Sequence, residues 1–236
     1  MENRFKEIFG EDPSFIMEAP GRIELGGNHT DHQHGLVLAS PARLKIKAWV
    51  RLTDSDEINI YSEGHGMFSV SVSDLAVHED EKGTTASLIR GMAAQFADNG
   101  LSGFNAYVLS EVPSGSGLSS SAAMEILLGK IFSSVTKARK SWIELAQMGM
   151  KVENEYFGKP CGLLDQMACA ASGIIAIDFS DPDQPEVQEL DYDFKKAGYR
   201  ICVIKCGAGH EEMTDSYASV PEEVEKVCEV FGKKYL

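Results

Sequence analysis

The sequence predicts an α+β domain. Strand-like alternation dominates the first seventy or so residues, helix-like periodicity takes over in the middle, and the two mix without the strict β–α alternation of a doubly wound sheet. With 236 residues, 43% of them hydrophobic, the chain carries enough apolar side chain to build a substantial core.

Residues 3–9 predict a short amphipathic helix through Phe5, Ile8 and Phe9, stopped at Gly10. Phe15 to Ala19 predicts a strand that Pro20 and Gly21 break. Val37 and Leu38 precede Pro41, and Leu44 to Leu52 and Ile58 to Tyr61 alternate as strands. Val70 and Val72 mark another short strand in a serine-rich piece. Thr84 to Ala97 then predicts a helix, with Asn99-Gly100 as its stop signal. Phe104, Ala106 and Val108 alternate with Asn105, Tyr107 and Leu109 in the next strand. Beyond a glycine turn, Ala122, Ala123, Ile126, Leu127 and Ile131 recur at helical spacing. Ser141 with Glu144 forms a capping box for a helix running to Tyr156, which Gly158-Lys159-Pro160 ends. Gly162 to Ala171 predicts a shorter helix. Gly173 to Ile177 and Tyr199 to Lys205 read as strands around an acidic loop, and residues 222–232 are helical in pattern.

The net charge of -14 argues against a nucleic-acid or anionic-membrane surface, because phosphate demands a basic field. Five cysteines without a Cys-x-x-Cys pair point to reduced thiols. The first residues mix charged and apolar types with no continuous apolar stretch, so neither a secretory signal nor a membrane span is expected, and the expected location is the cytoplasm.

Pro113 to Ala123 (PSGSGLSSSAA) places a glycine-serine turn directly between a strand and a helix. Gly115 and Gly117 permit positive φ and close approach of a ligand, so backbone N–H groups can converge on an anion. The helix opening near Ser119 adds its unpaired N–H groups and the positive end of its dipole. Three other readings fail on single residues. A Walker A loop lacks its lysine, a dinucleotide fingerprint has Ser120 where the third glycine belongs, and a nucleophile elbow has Ser121 where glycine belongs. Tight apolar flanks on both sides argue against a flexible linker.

A second polar concentration lies between Ala19 and Gly35, where Arg22, Asn28, Asp31 and three histidines gather. His29, Asp31, His32 and His34 offer metal-ligand chemistry, but no regular element brings their spacing to one point, so a hydrogen-bonded polar loop is the alternative.

Ala19 to His32 (APGRIELGGNHTDH) resembles the galactokinase signature, and PSGSGLSSSAAME resembles the phosphate loop of the GHMP small-molecule kinases. Glu153 to Gln166 (ENEYFGKPCGLLDQ) is similar to a third family segment, and the stretch from His210 to Tyr217 with the following helix to the start of a second domain. The resemblance implies a GHMP kinase N-terminal domain of the ribosomal protein S5 domain 2-like fold in residues 1–200. Residues 201–236 would begin a ferredoxin-like C-terminal domain, the rest of which lies beyond this chain together with a third glycine-rich motif.

The resemblance also implies roles. Gly115, Ser116, Gly117, Leu118, Ser119, Ser120 and Ser121 would cradle the phosphates of ATP, and Ser121 and Glu153 would hold Mg2+. Asp165 would be the general base, kept ionised by Arg22. Asn28, His29, Asp31, Gly162 and Tyr217, with Asp165, would line the sugar. The implied partners are a small-molecule sugar and ATP, and the implied reaction is phosphorylation of the anomeric hydroxyl of galactose. The signature departs from its usual form at Glu24, Gly26, Asn28 and His32, which leaves a kinase for another sugar and a non-catalytic sugar sensor as alternatives.

Overall fold

A computed structural model describes residues 1–27, 30–136, 138–181, 184–204 and 223–235, with only the backbone of His32. A seven-stranded mixed sheet carries a layer of helices on one face. Its spine is β2 (Leu36–Leu52), a 17-residue strand with β1 (Phe15–Gly26) antiparallel along one edge. Along the other edge, Leu36 to Ala39 pair with β6 (Ile174–Asp178), and Ile46 to Leu52 pair with β5 (Phe104–Ser110), both antiparallel. The full order is β4–β3–β5–β2–β6–β7, with β3 (Glu57–Ser62), β4 (Gly66–Ser71) and β7 (Glu186–Leu190). Among the described strands only β3 and β5 pair in parallel, joined through β4 and the helix α2 (Thr85–Ala94).

Two prolines expected to interrupt strands do not. Pro41 lies inside β2 opposite Arg22, whose own N–H turns away from the pair and donates to Leu118 O at 3.0 Å. The outward direction at that pair makes the missing N–H of Pro41 face the seam between β6 and β5, where no ladder bond is lost. Pro20 likewise stays in β1, and the break expected at Pro20-Gly21 is a register shift between Pro20 and Arg22.

Side chains of the central strands alternate between two apolar layers. Ala48, Val50, Ala106 and Val108 face α2, α3 (Ser120–Val135), α4 (Trp142–Val152) and α5 (Leu164–Ala170), while Trp49 and Tyr107 pack on Phe5 of α1 (Glu2–Phe9). The middle of α3 is buried all round, with Ile126, Leu127, Ile131 and Phe132 fully enclosed.

Three expectations need correction. Residues 199–204 form no strand, and Ile201, Val203 and Ile204 are exposed: apolar alternation makes a strand only where a sheet edge receives it. The acidic loop instead contains β7, whose Glu186 and Glu189 face solvent on a sheet edge and so hide the strand pattern. The helix expected to reach Tyr156 stops at Val152 and continues as a π-turn over Glu153–Phe157. Residues 223–230 are helical as expected.

Gly21 shows how tightly β1 is seated against the glycine-serine turn. A Cβ there would lie 2.6 Å from the carbonyl oxygen of Leu118. Gly21→Ala is expected to destabilise the fold by about 1–3 kcal/mol through this clash, as measured by urea unfolding.

Candidate active site

The turn between β5 and α3 is a string of left-handed residues: Gly115 has φ 66°, Gly117 φ 74° and Ser119 φ 55°. Ser116 Oγ closes it by donating to Pro113 O at 2.7 Å. Among the described residues, no hydrogen bond engages the backbone N–H groups of residues 114–119. The result is a concave set of free donors at the N-terminus of a 16-residue helix, a geometry suited to phosphate oxygens. Ser119 is the one non-glycine residue of the turn held at positive φ, a mild strain of the kind found at functional sites.

That conformation has a visible use. Ser119 Oγ does not cap α3 but donates to Asp165 Oδ2 at 2.5 Å. Arg22 Nε donates to the other oxygen, Oδ1, at 2.7 Å, and Arg22 Nη1 donates to Gly117 O. One guanidinium thus fastens the phosphate-loop backbone to the Asp165 carboxylate, which α5 delivers from the far side. The Arg22 side chain is 11% exposed and that of Asp165 36%, so the arginine is enclosed while the carboxylate keeps an open edge. Burial works to lower the Arg22 pKa, but the facing Asp165 outweighs it and the guanidinium is held charged.

Ser121 lies one residue into α3 and donates to Glu153 Oε1 at 2.9 Å. Glu153 opens the π-turn and is 2% exposed. Ser121 and Glu153 fit a magnesium ion: two hard oxygen donors are close together, one is an almost buried carboxylate, and the free donors of the loop lie beside them to hold phosphates that complete the coordination. No group of three or more His, Cys, Asp or Glu comes together as a metal cage among the described residues. His34 is turned toward Ser180 O and stacks on Tyr235, while His29 and the side chain of His32 lie outside the described residues.

Of the expected sugar residues, Asp31 is buried in the 3-10 turn Thr30–Gln33, which Thr30 Oγ1 anchors by donating to Gly27 O and Leu36 O. Gly162 lies in the connection ahead of α5, a segment pinned by Asn154, whose Oδ1 accepts from Cys161 N at 2.9 Å. Asn28, His29 and Tyr217 lie outside the described residues.

Sequence reasoning missed two residues beneath this site. Glu125 and Gln166 are fully buried, and the Gln166 Nε2 donates to Glu125 Oε2 at 3.0 Å and to Glu153 Oε2 at 2.8 Å. Burial, and next the neighbouring Glu153, push the Glu125 carboxyl well above the ordinary range, so it holds its proton. A signal was present: Ser121 and Glu125 stand four apart in the apolar first half of the helix, which puts them on one face. The nearby thiols of Cys161 and Cys169 are both pushed up by burial, which favours the thiol over the thiolate.

The family model for the GHMP kinases N terminal domain matches residues 87–173, and the galactokinase galactose-binding signature matches residues 3–51. The chain carries a GHMP kinase N-terminal domain together with a galactokinase galactose-binding signature. It is 30% identical over 234 residues to a galactokinase of Streptomyces coelicolor and 31% identical over 236 residues to one of Lacticaseibacillus casei, covering 97% of this chain in each case. The chain spans about 60% of the length of these curated relatives. Among solved structures it resembles the Lactococcus lactis galactokinase complexed with galactose, at a TM-score of 0.71 and 27% identity over 82% of this chain and 52% of that one. A mevalonate kinase of Methanococcus jannaschii shares the fold at a TM-score of 0.68 and 19% identity, covering 90% of this chain and 69% of that one.

The buried acid generates a prediction. Folded Glu125 keeps its proton, whereas the unfolded chain releases it above the ordinary value of 4.5. Stability of the wild type therefore falls as pH rises past that value, by at most about 1.4 kcal/mol per pH unit from this group. Glu125→Gln carries no such loss, so its stability relative to wild type is expected to grow as pH rises above the ordinary carboxyl value, in denaturant titrations.

Proposed function

We propose that the chain carries the nucleotide loop and much of the sugar site of an ATP-dependent kinase that phosphorylates the anomeric hydroxyl of galactose. One observation carries the reading: Arg22 joins the phosphate-loop backbone to a carboxylate, Asp165, that keeps one open edge at the mouth of the loop. That is where an acceptor hydroxyl must lie to face the terminal phosphate of a nucleotide seated on residues 115–121.

Asp165 accepts the proton of the sugar hydroxyl as its oxygen attacks. Arg22, held charged, orients the carboxylate and steadies the charge that develops beside the loop. The free N–H groups of the loop and the N-terminus of α3 receive the phosphate oxygens. Ser121 and Glu153 would hold magnesium, which when bound would neutralise phosphate charge. Asp31 and Gly162, with Asn28, His29 and Tyr217, provide the sugar side. The galactose named for the Lactococcus lactis structure and for the matched signature supports that choice of sugar.

In this reading residues 1–200 form the N-terminal domain and residues 201–236 begin the ferredoxin-like second domain, which closes the cleft and excludes water. The same reading places the enzyme in the cytoplasm, where its nucleotide is found, with no nucleic-acid or membrane partner, in keeping with the charge of -14. Asn28 stands where the signature usually has glutamate. An amide there favours a second reading, a kinase for a sugar with a different substituent at the contacted position, such as a uronic acid or an amino sugar.

The test is turnover by the full-length protein on a panel of sugars. Galactose is expected to be consumed with ATP, and Asp165→Asn to lose about 10²–10⁴-fold in kcat while still binding the sugar in calorimetry. Sugar binding without phosphate transfer by the wild type would make the protein a sensor and overturn the kinase reading. Preference for an acidic or amino sugar would move the substrate to the second reading.

A further inference from the structure

We infer that Gln166 is a positioning residue: its side-chain amide, anchored on the buried carboxyl of Glu125, fixes the Glu153 carboxylate in the orientation that receives the metal. The inference rests on the reading of Ser121 and Glu153 as metal ligands.

Three polar side chains meet inside the largely apolar core. Glu125 and Gln166 are 0% exposed and Glu153 is 2% exposed. Apolar residues of the same volume would fill that space without the desolvation that buried polar groups suffer. Their hydrogen bonds have a direction. The Gln166 amide nitrogen donates to two carboxyl groups, at 3.0 Å to Glu125 Oε2 and 2.8 Å to Glu153 Oε2, with Cys161 Sγ a longer third partner at 3.6 Å. This ties down one oxygen of Glu153 and leaves the other, Oε1, facing the Ser121 hydroxyl at 2.9 Å. The cation near Glu153 does not do this work: Lys159 Nζ stands 3.8 Å from Oε1 on a side chain that is 59% exposed.

The backbone makes room for the cluster. Gly149 of α4 faces the pair, and a Cβ there would lie 3.0 Å from both Gln166 Cγ and Glu125 Oε2. Glu125 sits one turn beyond Ser121 on α3, and Gln166 follows Asp165 in α5. The first turn of α5 therefore sets both the Asp165 carboxylate and, through the amide, the Glu153 carboxylate. A partner that orients a metal-ligating carboxylate is worth about 10–100-fold in metal affinity or activity when removed.

The experiment uses the full-length protein, with Mg2+ in turnover assays and Mn2+ as a binding probe. Gln166→Met keeps side-chain length and loses the amide. It is expected to raise the Mg2+ concentration for half-maximal turnover about tenfold and to weaken Mn2+ binding in the presence of a nonhydrolysable ATP analogue, read by electron paramagnetic resonance, to a similar degree. The KM for sugar should stay at the wild-type value. Gly149→Ala presses on the amide more gently and should shift the metal dependence in the same direction by a smaller factor, so it carries the test if Gln166→Met does not fold.

Glu153→Gln tests the underlying metal reading. If it shifts Mg2+ and Mn2+ dependence while folded Gln166→Met, or folded Gly149→Ala in its place, shows wild-type dependence, Gln166 only fills space and the inference is overturned. If Glu153→Gln itself leaves both unchanged, the metal reading falls and takes the inference with it.

Discussion

The ion pair between Arg22 and Asp165 is the constraint on which the rest of this site depends. Its partners come from the first strand and the last core helix, and the arginine holds the phosphate-loop carbonyl of Gly117 with its remaining arm. Asp165 in turn accepts from Ser119, so strand, loop and helix meet on four atoms of two side chains. Breaking a largely enclosed pair of this kind leaves a charge without its partner, a much larger penalty than the pair's own net contribution to stability. The pair therefore matters less as a source of stability than as the element that decides where the loop sits relative to the carboxylate.

Around this pair the fold solves a problem of access. A phosphate loop needs backbone N–H groups that nothing else uses, and a fold ordinarily pairs them. Here β1 approaches so closely, at Gly21, that its own N–H from Arg22 satisfies the carbonyl of Leu118 while the loop's donors stay outward. The register shift in β1 and the seam at Pro41 in β2 are the local irregularities that allow this approach. Both lie opposite one another, next to the site.

The loop, its flanking strand and helix, and the paired roles of Arg22 and Asp165 were legible because each rests on a local pattern or a compact motif. The continuity of β1 and β2 was not, since the cost of a proline depends on which edge its missing N–H faces, and that is set by neighbours remote in sequence. The edge strand β7 was hidden for a related reason: with one side in water, Glu186 and Glu189 are good residues for it and poor signals of it. Glu125 and Gln166 escaped notice because a lone polar residue in an apolar helix looks solvent-facing until the helix is known to be covered on every side. The Ser119–Asp165 bond spans 46 residues and follows from one left-handed φ, which no composition signal marks.

The separation of Arg22 from Asp165 by 143 positions has a further meaning. During synthesis the segment bearing Arg22 leaves the ribosome long before α5 exists, and closing so long a loop is entropically costly until most of the sheet has formed. Contacts of this range slow folding, so the site is expected to be completed only after the strands around β2 have paired. A nascent or partly folded chain would then present its phosphate loop without its carboxylate, and nucleotide capture before the fold is finished would be unproductive by construction.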